Sequence, residues 1–134
     1  MVLIMKRASL AQGLMRWMEP VDGLRLVHET DYARAGETVR ARQAQAALLE
    51  VAESGECDAE YCLALCRELR AASPLCRLML MCPENDENAV EKAVLAKREG
   101  RIDDFVFYDA SMEYLATSLR ALCAAARGDA MRRQ

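Results

Sequence analysis

Five short apolar runs alternate along the chain with longer segments whose apolar residues recur at helical spacing. The runs cover residues 1–5, 24–27, 46–51, 78–82 and 105–108. Runs of this length without polar alternation are typical of strands that are buried on both faces. Because strands joined by helices must run parallel, the pattern predicts one parallel sheet with helices on both of its faces. The 134 residues suffice for one such domain.

The helices are predicted from apolar spacing and from residues that start or stop a helix. They cover residues 9–19, 30–43, 59–72, 87–98 and a last segment that begins after Ser111. Ser9 and Ser111 are expected to cap their helices, Pro20 to end the first one and Gly128 the last one. We therefore assign residues 1–127 to the domain. Residues 128–134 are expected to form a polar tail or the start of a linker.

Composition excludes several classes of function. Lys and Arg number 18 against 21 Asp and Glu, so a surface that coats nucleic acid is not expected. The single histidine, His28, excludes multi-histidine metal chemistry, and we expect it to be structural. Six cysteines without a leader sequence indicate reduced thiols. Since the apolar start is cut by charges after five residues, we expect no membrane partner and a cytoplasmic protein.

The residues at the carboxyl ends of the strands are the candidates for function. In a parallel sheet these ends meet at one edge, where ligands bind. Glu50 interrupts an apolar run, and an unpaired buried charge is costly. The candidates are Lys6, Arg7, Glu50, Cys82, Tyr108 and Asp109. Because a buried Glu50 would need a counter-charge, Lys6 and Arg7 are its expected partners. Glu50 could also be a solvated carboxylate at the end of the strand.

A family resemblance rests on three segments in a particular order. The chain reads Ala-Ala-Leu-Leu-Glu-Val at 46–51, Leu-Cys-Arg-Glu-Leu-Arg at 65–70 and Asp-Asp-Phe-Val-Phe-Tyr at 103–108. Together they resemble the receiver domain of two-component response regulators, over about residues 2–126. The resemblance implies a flavodoxin-like (CheY-like) fold, a doubly wound five-stranded parallel sheet in three α/β/α layers.

The same resemblance implies a role for several positions, most of which carry an unusual residue. Lys6 and Arg7 stand where the family has two acids that bind Mg²⁺, and Glu50 stands where it has the phosphoacceptor aspartate. The family's lysine after the fifth strand corresponds to Tyr108. The two switch positions correspond to Cys82, in place of a serine or threonine, and to the aromatic Phe105.

These replacements indicate a degenerate receiver, or pseudo-receiver. Phosphoryl transfer relies on a divalent cation to neutralise developing charge, and two cations in place of two acids would repel it. We therefore expect no Mg²⁺ or other cofactor, no catalytic residue and no enzyme activity. An ion pair between Glu50 and Lys6 or Arg7 would hold the domain in one signalling state.

The resemblance also implies where partners bind. Receivers contact partners through the fourth helix, the fifth strand and the fifth helix. Charges of both signs are expected there and favour a homodimer or another protein partner: Lys92, Lys97, Arg98, Asp103, Asp104, Glu113 and Arg120. The 134 residues contain no output domain. We expect DNA to be bound only through such a domain, as in a transcriptional regulator.

Two other functions stay open at the level of sequence. One is a phosphoacceptor of unconventional chemistry. The other is a thiol-based sensor that uses Cys82 or Cys57, for which a cysteine with a lowered pKa would be required. For Cys82 the simpler interpretation is a small apolar residue that packs in the core.

Overall fold

A five-stranded parallel sheet forms the centre of the molecule in the computed structural model. The model describes residues 1–132, and for residues 21–22 and 129–132 it describes the backbone alone. The strands are β1 Val2–Ile4, β2 Val27–Glu29, β3 Ala46–Glu50, β4 Arg77–Cys82 and β5 Asp104–Phe107. Their order is β2-β1-β3-β4-β5 with every pair parallel, which is the doubly wound flavodoxin-like order. The predicted fold class is confirmed.

Helices cover both faces of this sheet and complete three layers. They are α1 Ala8–Asp22, α2 Ala35–Ala41, α3 Ala59–Ala72, α4 Glu87–Arg98 and α5 Met112–Arg132. Buried residues of α2, α3 and α4 pack on one face, and those of α1 and α5 pack on the other. Strand β1 shows the division, because Val2 and Ile4 point to the first face while Leu3 points to the second.

The first helix differs from the prediction at both ends. Arg7 is its N-cap, so Ser9 lies inside the helix. The helix also continues past Pro20 to Asp22 and ends at Gly23, whose φ of 65° places it in the left-handed region. Pro20 is tolerated because it lies in the last turn on the exposed side, where water can solvate the carbonyl that its missing N–H leaves free. Glycine adopts a positive φ without strain, and it supplies the actual end.

Strand β2 and the segment after it also differ from the prediction. The strand covers Val27–Glu29 and not 24–27, so His28 lies inside it. As an edge strand β2 pairs only with β1, and it does not need a continuous apolar run. The predicted helix over 30–43 divides into a 3₁₀ turn at Tyr32–Arg34 and the seven-residue α2. Asp31 starts the turn by accepting a hydrogen bond from the N–H of Ala33.

The last helix begins as predicted but ends later. The Ser111 hydroxyl accepts a hydrogen bond from the N–H of Tyr114, which confirms its capping role. Gly128 does not stop the helix, which continues to Arg132. A glycine inside a helix costs only about 1 kcal/mol relative to alanine, so neighbouring residues can carry the helix through it. The boundary between residues 127 and 128 stays a prediction, and part of the predicted tail, residues 133–134, lies outside the described residues.

No helix within residues 1–132 is long and apolar enough to cross a membrane.

Candidate functional site

The carboxyl ends of β1 and β3 bring Arg7 and Glu50 together. These two strands are neighbours, with Ile4 opposite Leu49, so the chain after β1 passes beside the end of β3. Oε1 of Glu50 accepts hydrogen bonds from the backbone N–H groups of Lys6 (2.8 Å) and Arg7 (3.3 Å). Oε2 forms an ion pair with Nε of Arg7. The Glu50 residue is only 4% exposed, so this carboxylate is held inside the protein by donors from one short segment.

The Arg7 side chain continues from Glu50 across the end of the sheet. Its Nη2 lies 3.4 Å from the sulfur of Met81. Its guanidinium carbon lies 4.3 Å from the ring centroid of Tyr108, within the range of a cation–π interaction. The Tyr108 hydroxyl donates a hydrogen bond to the carbonyl of Val51. A continuous layer of Glu50, Arg7 and Tyr108 therefore spans from β3 to the residue after β5.

The Lys6 side chain does not contact Glu50, although the Lys6 backbone N–H does. Its Nζ donates to the carbonyl of Thr30 (3.1 Å) and lies 5.2 Å from the centroid of the Tyr32 ring. The sequence predicted a pair between Glu50 and either cation. The structure assigns it to Arg7 and directs the Lys6 side chain toward the segment after β2.

Tyr32 and Cys62 are members of the site that the sequence analysis missed. The Tyr32 hydroxyl donates to the backbone carbonyl of Glu50 (2.6 Å), and the Cys62 thiol approaches the same carbonyl at 3.7 Å. Burial, with smaller contributions from Cys62 and Glu50, raises the pKa of Tyr32, so the hydroxyl remains a donor. A lone aromatic residue in the polar segment 30–43 was the available signal.

Comparisons with known proteins place this site in context. No family model and no curated protein sequence matches the chain. Solved structures do match. A signal receiver domain of an HD domain-containing protein from Pseudomonas fluorescens Pf-5 is 16% identical with a TM-score of 0.77, over 98% of this chain and 90% of that one. The chain has the receiver-domain fold of response regulators. The predicted fold resemblance is therefore confirmed.

Two further structures extend the comparison. NtrX from Brucella abortus is 15% identical with a TM-score of 0.78, over 98% of this chain but only 28% of NtrX. A protein described as an adenylate cyclase from Rhodopirellula baltica is 15% identical with a TM-score of 0.81, over 98% of this chain and 92% of that one. At this level of sequence identity, the structural similarity shows only that the chain has the receiver fold. The activities of those proteins are not inferred for this chain.

The two predicted switch positions lie on the α2–α3–α4 side of the receiver fold. Cys82 ends β4 and is fully buried, and burial raises the pKa of its thiol to about 12. Phe105 is half-buried against the same apolar cluster, with Nζ of Lys97 5.9 Å from its ring centroid. Asp109 follows Tyr108 and is exposed.

The contacts of three charged residues that were predicted for the partner surface differ. Lys97 and Asp104 form an ion pair of 2.9 Å beside β5, and their role in a partner surface stays a prediction. Asp103 instead points toward α3 and β4, where it accepts hydrogen bonds from Arg70 (2.8 Å), Arg77 (2.9 Å) and the N–H of Leu78. Including Asp103 in the surface was therefore wrong, because it precedes β5 and its carboxylate is engaged by residues of α3 and β4.

The chemistry open to the site follows from its donors and charges. Its carboxylate already accepts two N–H groups and an ion pair. Among the side chains that the structure describes, no group of three or more His, Cys, Asp or Glu is placed to hold a metal ion. Burial, followed by the neighbouring Glu50 carboxylate, raises the pKa of Tyr108, so its hydroxyl stays neutral. The layer of Glu50, Arg7 and Tyr108 thus consists of one engaged anion, one cation and one neutral phenol.

Proposed function

We propose that this chain is a receiver-like signalling domain that works without phosphorylation. In this proposal Glu50 stands at the phosphoacceptor position, Lys6 and Arg7 at the positions of the acidic pair, Tyr108 at that of the lysine, and Cys82 and Phe105 at the switch positions. The domain binds no Mg²⁺, has no catalytic residue and is not an enzyme. It acts by contacting other proteins in the cytoplasm.

The observation that carries the proposal is the position of the Arg7 guanidinium between Glu50 and Tyr108. A divalent cation beside Glu50 would meet this positive charge at a distance of a few ångströms, where repulsion inside a protein is strong. The residues present therefore do not fit a metal ion. Glu50 has little exposed surface and no free oxygen, so an incoming phosphoryl group would find no nucleophile.

Intact mass spectrometry after incubation with acetyl phosphate and Mg²⁺ tests the proposal. We expect no added phosphoryl group on the wild-type chain, and no saturable change in its amide NMR spectrum when Mg²⁺ alone is added. A matched control carries Lys6→Asp, Arg7→Asp, Glu50→Asp and Tyr108→Lys, and we expect it to bind Mg²⁺. A phosphoryl group on the wild-type chain would instead support the unconventional phosphoacceptor.

The surface of α4, β5 and α5 is the proposed contact for a second copy of the chain. It exposes Leu95 (48%), Phe107 (37%) and Tyr114 (61%) beside the Lys97–Asp104 ion pair. An apolar centre flanked by both signs of charge suits a two-fold interface, because each copy offers the other a complementary charge. A pocket of about 390 Å³ between Phe105 and Tyr114 would receive a side chain of the partner.

Light scattering as a function of concentration tests this interface. We expect dimers, and we expect Tyr114→Ala combined with Leu95→Ala to shift the protein to monomers. Trp17→Ala removes another exposed aromatic residue, on α1, and should leave the mass unchanged. Monomeric wild-type protein at high concentration would point to a different protein partner.

Any binding of DNA would come from a separate output domain. NtrX exceeds this chain severalfold in length, since the matched part is 28% of it. We therefore propose a regulatory domain that controls an output module through contacts, as in a transcriptional regulator. A gel-shift assay of this chain with random duplex DNA should show no complex at physiological salt.

A further inference from the structure

A small pocket opens between the second half of α3 and the turn after α4. Its volume is about 260 Å³, and its walls are Leu63, Arg67, Arg70, Ala71, Gly100 and Arg101. The four residues from α3 lie at helical spacing and therefore share one face of that helix. All three charged residues in the walls are arginines. The pocket lies at the amino edge of the sheet, whereas Glu50 lies at the carboxyl edge.

Gly100 brings Arg101 into this pocket. Its φ of 77° lies in the left-handed region, where a residue with a side chain would be strained. The N–H of Gly100 bonds to the carbonyl of Lys97 (3.1 Å), and that of Arg101 bonds to the carbonyl of Ala96 (2.8 Å). These bonds close the end of α4 and reverse the chain, so that Arg101 faces α3.

The arginines of the pocket are only partly neutralised. Arg70 shares the carboxylate of Asp103 with Arg77. Arg101 pairs with Glu99 at 2.7 Å, and both of these side chains are partly exposed. Arg67 is exposed and forms no ion pair with any residue in the part of the chain that the structure describes. The walls therefore carry an excess of positive charge.

Two of these arginines also hold unused hydrogen-bond donors. The Nε–H groups of Arg70 and Arg101 are shielded from solvent, and neither has an acceptor among the atoms that the structure describes. A shielded donor without an acceptor costs free energy that an incoming acceptor can recover once the side chain turns toward it. Both arginines belong to the walls of one pocket, so an anion that draws either side chain toward the pocket would give its Nε–H an acceptor.

We propose that this pocket binds a small organic phosphate monoester. The phosphate is close to doubly charged at neutral pH and has three strong acceptor oxygens, which suits several guanidinium groups better than a singly charged carboxylate does. Leu63 and Ala71 provide an apolar wall for the organic group. The pocket is slightly smaller than the 300–1,000 Å³ or so of sites for drug-sized ligands, so the organic group has to be compact. This inference is independent of the proposed function, because it uses none of the residues around Glu50.

Phenyl phosphate is a suitable probe, and NMR titration of the full chain is the measurement. We expect saturable shifts of the backbone amides of Arg67, Gly100 and Arg101 and of the two Nε–H signals, with a Kd on the order of 1 mM or tighter. Arg67→Ala should weaken binding about tenfold, since a charge-assisted contact is lost. Arg67 is exposed, so this variant is expected to fold. Arg98→Ala removes a charge from α4 without touching the pocket and should bind like the wild type.

Three results would overturn the inference. The first is the absence of saturable shifts at these residues. The second is equal affinity of wild type and Arg67→Ala, which would mean that the pocket does not hold the phosphate. The third is an affinity for benzoate or for inorganic phosphate that equals the affinity for phenyl phosphate. Equal binding of benzoate would show that the phosphate group is not required, and equal binding of inorganic phosphate would show that the organic group is not required.

Discussion

The guanidinium of Arg7 lies over the ring of Tyr108, 4.3 Å from carbon to centroid, while its Nε bonds to Glu50. A positive charge is thereby held between an aromatic face and a carboxylate. Arg7 follows β1, Glu50 ends β3 and Tyr108 follows β5. Their mutual contacts make this edge of the sheet a packed and charge-balanced surface in place of an open cleft.

Removing the Arg7 side chain should destabilise the fold through Glu50. In Arg7→Ala the buried carboxylate keeps its backbone donors but loses its counter-charge, and we expect a loss of about 1–3 kcal/mol in the free energy of unfolding. Urea denaturation measures the change. Arg16→Ala, which removes an exposed arginine from α1, should stay within about 0.5 kcal/mol. Equal values for both variants would show that the ion pair contributes nothing.

The two contacts of Tyr108 can be separated by two substitutions. Tyr108→Phe removes the hydroxyl that bonds to the carbonyl of Val51 but keeps the ring, and it should cost about 1 kcal/mol. Tyr108→Leu also removes the ring and should cost about 0.5–1 kcal/mol more, provided that Arg7 is present. In an Arg7→Ala background this second difference should disappear, and its persistence would argue against the cation–π contact.

Acid stability should depend on the hydrogen bond between Thr38 and Glu29. This bond (2.6 Å), followed by the N–H of Asp31, lowers the pKa of Glu29 below its ordinary value of 4.5. A lowered pKa stabilises the fold above 4.5, and the stabilisation is lost as the pH falls through the lower value of the folded state. Thr38→Val should thus be less stable by about 0.5–1 kcal/mol at pH 7, and its difference from the wild type should shrink as the pH falls below 4.5.

Urea midpoints measured between pH 3 and pH 7 check this prediction. Thr117→Val is the matched control, because Thr117 is an exposed threonine on α5. It should shift the midpoint equally at every pH. A difference between Thr38→Val and the wild type that does not change with pH would show that Glu29 is not responsible.

Alkylation of the native protein should modify its cysteines at different rates. Cys82 is fully buried, with a thiol pKa raised to about 12, whereas Cys57 is half-buried. We expect iodoacetamide at pH 8 to modify Cys57 first and Cys82 only at the rate of global unfolding. Cys57→Ser should remove the fast phase seen by mass spectrometry. Fast modification of Cys82 would favour the thiol-based sensor.

The helices and strands differ in how well their bounds could be predicted from the sequence. Helices α3 and α4 were predicted at their observed bounds, because apolar spacing and flanking Pro or Gly residues agree there. Strand β2 was misplaced because an edge strand needs less apolar sequence than a central one. Pro20 and Gly128 were overestimated as stops, since tertiary packing can continue a helix through a weak residue.

The site was predictable in its pairing but not in its geometry. Strand order alone brings the residues after β1 to the end of β3, so a contact between Glu50 and a cation could be foreseen. Which cation pairs depends on the backbone direction at residues 6 and 7, and on side-chain rotamers that no spacing encodes. Arg101 lines the pocket beside α3 only because Gly100 adopts a left-handed backbone conformation. Composition does not reveal such a backbone angle.

The counter-ion of Glu50 is covalently part of the chain, and this has a consequence for control. A metal ion can be chelated and a phosphoryl group can be hydrolysed, but Arg7 cannot leave. Under the proposed function, a domain closed in this way has no on-and-off cycle of its own at Glu50. Under the same proposal, the number of copies of the protein, set by its synthesis and degradation, would determine its output.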